Sequence, residues 1–310
     1  MEFVHVPVLL DQCIEGLNIK EDGIYMDATV GGAGHSIEIV KRLKGGRLIA
    51  IDKDADALQA ANKRLNNYID KVTFIHNDYK NFSEELDKLN IDKLDGILVD
   101  LGISSYQVDN GERGFSYIQD APLDMRMDQS QYLNAKIVIN EYSESELSRI
   151  LFEYGEESFA RQIAREIVKE REKGEIETTA QLSNIVERCY PAKFRYKNGN
   201  PAKKTFQAVR IEVNGELDRL HDALKEMALR LKKEGRMCVI SFHSLEDRIV
   251  KETFRDLATG CTCPPTFPKC VCGRKEQVKL VNKKPIIASD EELEKNKRAA
   301  SAKLRIIERV

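Results

Sequence analysis

Three short apolar runs in the first third of the chain end on a carboxylate: Ile24 to Asp27, Arg47 to Asp52 and Leu94 to Asp100. A fourth, Val72 to His76, is followed by Asn77-Asp78-Tyr79. Directly behind the first comes Gly31-Gly32-Ala33-Gly34-His35, and a helical run starts at Ser36. Glycines at such a turn allow positive φ and let a ligand approach the backbone, while the N–H groups opening the next helix face that ligand. Asp52 lies 18 residues beyond Gly34 and is spaced to accept hydrogen bonds from ribose hydroxyls.

Two nucleotide chemistries share that pattern. A dinucleotide site wants G-x-G-x-x-G against a pyrophosphate; here the order is G-G-A-G-H, preceded by Asp27, which would oppose the phosphates. S-adenosylmethionine carries an ammonium and a sulfonium, and both favour acidic surroundings. Methyl transfer needs the acceptor held in line with the sulfonium carbon, and placement supplies much of the acceleration. If the acceptor is an exocyclic base amine, its hydrogens need a carboxylate or carbonyl partner. The loop after the fourth run offers Asp100, Ser104 and Ser105 as candidates, with Asp100 also able to contact the cofactor.

These residues need a scaffold, and the alternation of apolar runs with helical periodicity predicts a doubly wound parallel α/β sheet covered on both faces. Ligands in such sheets sit beyond the carboxyl ends of the strands, where all four acids fall. From about Tyr106 the alternation stops. Two turn-rich pieces follow, then helices capped by Ser143 with Glu146 and by Thr178 with Gln181. Phe206 to Lys233 reads as one long amphipathic helix, Arg236 to Phe242 as a fifth strand, and Ala302 to Ile307 as the last. The expected organisation is a first part of the sheet domain at 1–105, an inserted helical domain at 106–205, and the second part at 206–310, with a Cys-rich loop at 261–272. The 310 residues carry 42% hydrophobic and 32% charged residues and a net charge of −2, so a nucleic-acid role must rest on a local patch. No run is long enough to span a membrane, and the first residues lack a signal-peptide pattern, so a cytoplasmic location is expected.

His5-Val6-Pro7-Val8-Leu9-Leu10, the D-x-T-x-G-x-x-G-H turn (27–35), DLGISS (100–105), ERGFS (112–116), PLDMRMD (122–128), TFQAVRIEVNGEL (205–217), ISFHSLEDR (240–248) and the closing RAASAKLR (298–305) together resemble the bacterial 16S ribosomal-RNA cytosine-N4 methyltransferases. The resemblance covers nearly the whole chain. It implies a class I methyltransferase domain with an inserted helical domain, S-adenosylmethionine as cofactor, and the exocyclic amine of a cytosine in the decoding centre of the small subunit as target. It further implies cofactor contacts from Ala33, Gly34, His35, Asp52, Tyr79, Asp100 and Gln107, with Tyr79 packed on the adenine. DLGISS differs from the N-P-P-Y motif of many amino-methyltransferases, so no catalytic role carries over from those enzymes. His243, just past the fifth strand, either helps to position the target nucleotide or is a structural histidine bonded to a neighbouring loop.

Pro191 to Lys204 is the best RNA-binding stretch, with Lys193, Arg195, Lys197, Lys203 and Lys204 to meet phosphates and Phe194 or Tyr196 to stack on a base. A target base inside folded RNA must leave its stack to reach a methyl donor, and the helical insertion is the expected clamp. Cys261-x-Cys263 and Cys270-x-Cys272 either present four thiolates to one structural zinc or remain free thiols in a redox-sensitive loop. Cys13, Cys189 and Cys238 read as core. Two other functional classes stay open: a ribosome-assembly factor that keeps the fold as a binding platform, and an NAD-dependent oxidoreductase. Whether the protein is a monomer or a homodimer is also open.

Overall fold

The computed structural model describes residues 7–104, 107, 110–193, 199–264, 267 and 269–310. His5, Val6, Ser105, Phe194, Arg195, Tyr196 and Lys197 lie outside the described residues. Two compact units are present, Met1–Gly102 with Leu217–Val310, and Ile103–Glu216.

The first unit is built on a seven-stranded sheet: β1 Ile24–Asp27, β2 Arg47–Asp52, β3 Val72–His76, β4 Leu94–Asp100, β5 Leu231–Ser241, β6 Val278–Leu280 and β7 Lys303–Arg309. Their order is β3-β2-β1-β4-β5-β7-β6, parallel through β5, with β7 antiparallel to both of its neighbours. This is the class I methyltransferase arrangement. β4 is buried from Leu94 to Val99 and only Asp100 is partly open, the near-continuous apolar pattern of a strand covered on both faces. β1 and β4 are neighbours whose onward connections run to opposite sides, so a crevice opens at their carboxyl ends. Asp27 sits beside Ala50 and Leu98 there, and Asp100 beside Ile240.

The second unit is helical, with helices Ala135–Glu141, Glu144–Glu153, Ala160–Arg171, Thr179–Cys189 and Ala202–Asn214 around one core that includes Val138, Leu151, Ile163, Leu182 and Phe206. Both expected capping boxes form, Ser143 with Glu146 and Thr178 with Gln181. Each satisfies two backbone donors that the helix start would leave unpaired.

One expectation is corrected. The stretch 206–233 is not one helix: a helix ends at Asn214, a second spans Leu220–Leu229, and β5 already begins at Leu231. Gly215 closes the first helix at φ +54°, a left-handed cap that glycine adopts without strain. Asn214 Nδ2 donates to Met125 O and its Oδ1 accepts from Met127 N, both at 2.8 Å, which takes its side chain out of any helical pattern. The two units divide at Gly102/Ile103 and Glu216/Leu217. Phe206, Val209 and Val213 belong to the helical unit's core.

Candidate functional site

The turn after β1 is shaped by contacts that hold it open. Val30 N–H donates to Ile51 O, Gly31 takes φ +48°, and Ala33, at φ +57°, precedes the helix Gly34–Arg42, which no side chain caps. A Cβ on Gly34 would collide with the Pro7 ring, whereas one on Gly32 would meet nothing within 4 Å. Gly34 is thus required by packing and Gly32 borders open space. The N-terminal segment also reaches His35, whose Nε2 donates to Val8 O at 2.9 Å. In the neutral ring that bond leaves Nδ1 without a proton, and Nδ1 lies 3.7 Å from Asp100 Oδ2.

Three carboxylates gather at the carboxyl ends of β1, β2 and β4. Asp27 accepts from Ser36 Oγ at 2.6 Å and from Thr29 N at 3.2 Å, and burial, helped by nearby Asp52, pushes it up to about 6. Asp52 accepts from Gly31 N and Asp54 N at 2.8 and 2.9 Å, and burial likewise pushes it to about 6. Asp100 is anchored through its backbone N–H, which donates to Thr29 Oγ1 at 2.7 Å. Its Oδ1 is buried without a hydrogen-bond partner among the described residues, and burial, then Asp27 and Glu246, hold it well above the usual carboxylate range. Like charges in a desolvated crevice cannot all ionise unless a cation joins them.

Around these acids the remaining candidates fall into different jobs. Tyr79 opens a short 3-10 helix after β3, partly buried against the sheet core. Asp78 caps that helix by accepting from Lys80 N. His243 is the N-cap of the helix Ser244–Ala258: its Nδ1 accepts from Glu246 N, and its Nε2 is 3.2 Å from Glu246 Oε1, outside hydrogen-bonding geometry. Glu246 in turn accepts from Phe242 N at 2.8 Å. The capping spacing H-x-x-E was visible in ISFHSLEDR, with histidine in the place usually held by serine or threonine. In the same motif Asp247 meets Arg305 of the closing segment at 2.7 Å and Lys303 at 3.2 Å. Burial raises the Asp247 carboxyl, but these two cations outweigh it and hold it below its ordinary value.

Ser104 and Gln107 belong to the second unit and bond each other, Ser104 N–H donating to Gln107 Oε1 at 2.9 Å. Arg113 of ERGFS is buried and donates to the carbonyls of Arg126 and Met127, so ERGFS and PLDMRMD are joined to each other. Of the basic candidates, Lys193 and Lys203 are exposed, while Lys204 Nζ donates to Glu156 O at 2.7 Å. Cys13, Cys189 and Cys238 are buried. The other four cysteines converge: Cys270 Sγ is 3.5 Å from Cys272 Sγ, which is 3.8 Å from Cys261 Sγ.

Comparison with known proteins bears on the same site. The profile of the MraW methylase family matches residues 2–310. Proteins named "Ribosomal RNA small subunit methyltransferase H" are similar over the full chain. That of Lachnospira eligens is 54% identical, covering 100% of this chain and 99% of its own. Those of Clostridium botulinum and Finegoldia magna are 54% and 52% identical, with both chains covered completely. A crevice of buried acids beside a glycine turn, on this strand order and with this likeness from end to end, has one reading at the level of family: the chain belongs to the MraW methylases.

Proposed function

We propose that the protein transfers a methyl group from S-adenosylmethionine to the exocyclic N4 amine of a cytosine in 16S ribosomal RNA of the small subunit, acting in the cytoplasm. The observation that carries this reading is electrostatic. Asp27, Asp52 and Asp100 share one crevice with raised affinity for protons, and among the described residues no lysine or arginine side chain bonds any of them. A ligand bearing an ammonium and a sulfonium supplies the missing positive charge, whereas a pyrophosphate would add to the negative charge. The open space over Gly32 fits such a group. The names of the full-length relatives favour ribosomal RNA of the small subunit as substrate.

When bound, the cofactor supplies an electrophilic methyl on a cationic sulfur. In this reading Asp52 accepts the ribose hydroxyls, each of its oxygens keeping a lone pair beyond the backbone N–H it already holds. Tyr79 packs its ring on the adenine. The turn from Gly31 to His35 seats the methionine end, and Asp100 Oδ1 accepts a hydrogen of the target amine, aligning its lone pair with the methyl carbon. With the cofactor's positive charge beside it Asp100 would be ionised, and its raised proton affinity would suit it to receive the proton that the amine releases. The roles of Ser104, Ser105 and Gln107 rest on the resemblance alone. His243 already has a capping job, so its part in catalysis is to hold the start of its helix. Lys193 and Lys203, with Arg195 and Lys197, meet RNA phosphates.

The test is transfer of label from S-adenosylmethionine to small subunits that lack the modification. Label on a single cytosine is expected; no transfer to subunits or to their free RNA overturns the proposal. An Asp100→Ala variant that binds RNA and complements a deletion fully would instead favour an assembly factor.

A further inference from the structure

The loop joining the helix Ser244–Ala258 to β6 has no core of its own. Every described residue from Cys261 to Gln277 is at least partly exposed. Its stem is closed by Gln277 N donating to Leu257 O and by Arg274, whose guanidinium bonds Thr259 O and the Asp256 carboxylate. Inside that stem four sulfurs meet, those of Cys261, Cys263, Cys270 and Cys272, all within 4.8 Å of one another. Burial does not explain the convergence, because none of the loop's described residues is buried.

The spacing distinguishes a metal from disulfides. In a disulfide each sulfur has one partner at about 2.05 Å and the two pairs are otherwise independent. Here Cys272 Sγ stands 3.5 Å from one sulfur and 3.8 Å from another. With metal–sulfur bonds of about 2.3 Å, the corners of a tetrahedron are about 3.8 Å apart. A backbone donor also faces the sulfurs: Val271 N–H points to Cys263 Sγ at 3.3 Å. Such a bond spreads the charge of thiolates that ligate a cation. Gly273, at φ +64°, turns the chain immediately after the last cysteine.

We propose that Cys261, Cys263, Cys270 and Cys272 hold one zinc ion in a closed tetrahedral site that folds the 259–277 loop. Four thiolates select a soft, borderline cation over magnesium or calcium. A site whose four positions are all protein sulfurs has none left for water or substrate, so the ion is structural and takes no part in the chemistry at Asp100. The proposal does not depend on the methyltransferase reading.

The test begins with full-length protein produced in zinc-supplemented medium under reducing conditions, its metal measured by plasma mass spectrometry. One zinc per chain is expected in the parent and none in a Cys270→Ser/Cys272→Ser variant. Replacing zinc by cobalt should give the thiolate charge-transfer and intense d–d bands of a tetrahedral sulfur site. Limited proteolysis gives a readout independent of the variant: chelation should open the 259–277 loop of the parent to cleavage, and added zinc should close it again. Zinc well below one per chain, disulfide-linked peptides from this loop in the reduced preparation, or visible absorbance with bound iron and sulfide would each overturn the proposal.

Discussion

Replacing Asp27 by Asn isolates the electrostatic strain at the crevice. In the cofactor-free protein the Asp27 carboxyl is pushed up to about 6 by burial, against about 3.9 in an unfolded chain. A carboxyl whose folded value is raised contributes stability that is fully present below the unfolded value and is lost as pH climbs through the folded one. A shift of about two units corresponds to about 3 kcal/mol. Asn is uncharged throughout, so the variant escapes that loss, apart from a pH-independent change in the bond from Ser36. The stability difference, variant minus parent, should therefore grow by up to about 3 kcal/mol between about pH 4 and about pH 7.5. At about 2–4 °C per kcal/mol that is up to about 12 °C in Tm. Calorimetry or urea unfolding of both proteins across this range measures the slope, and groups common to both, such as Asp247, largely cancel. Saturating S-adenosylmethionine should stabilise the parent more than the variant near neutral pH, since a cation restores the ionised carboxylate. A difference that stays flat with pH would refute the assignment of strain to Asp27.

Asp52→Ala should weaken cofactor binding by about 1–3 kcal/mol, roughly 5- to 150-fold in Kd by titration calorimetry, because ribose hydroxyls lose a buried charged acceptor. Asp100→Asn should lower the rate of methyl transfer far more than it changes cofactor Kd, as single-turnover kinetics would show; equal losses in both would assign Asp100 to binding alone. Asn214→Ala strands Met127 N–H and Met125 O, so a loss of about 1–3 kcal/mol per buried group is expected in urea unfolding. His243→Ala should cost about 0.5–2 kcal/mol of stability through the lost cap, with cofactor Kd unchanged; an unchanged Tm together with lost activity would give the histidine a direct role instead.

The strand-end acids, the glycine turn, the capping boxes and the C-x-C pairs were legible because each is a local signal, spelled out within a few neighbouring residues. Apolar runs bounded by turns specify strands, and Ser-x-x-Glu specifies a helix start, before any tertiary contact exists. Asn214-Gly215 was a legible stop of the same kind, but the apolar periodicity on either side of it made two helices read as one. Other features depend on partners far apart in the chain, and no local pattern encodes them. Asp247 finds Arg305 only when β5 and β7 pair, and Gly34 needs its missing side chain only because Pro7 lies on it. Asp27, Asp52 and Asp100 look alike as strand-end carboxylates. Burial in the folded crevice raises all three, with Asp52 adding to it at Asp27 and Asp27 at Asp100, and among the described residues only Asp100 of the three is left with an oxygen that has no partner. The sequence by itself determined where the strand-end carboxylates stand; the tertiary structure decided their charge, because a carboxylate's affinity for its proton depends on the water and the neighbours that folding removes or supplies.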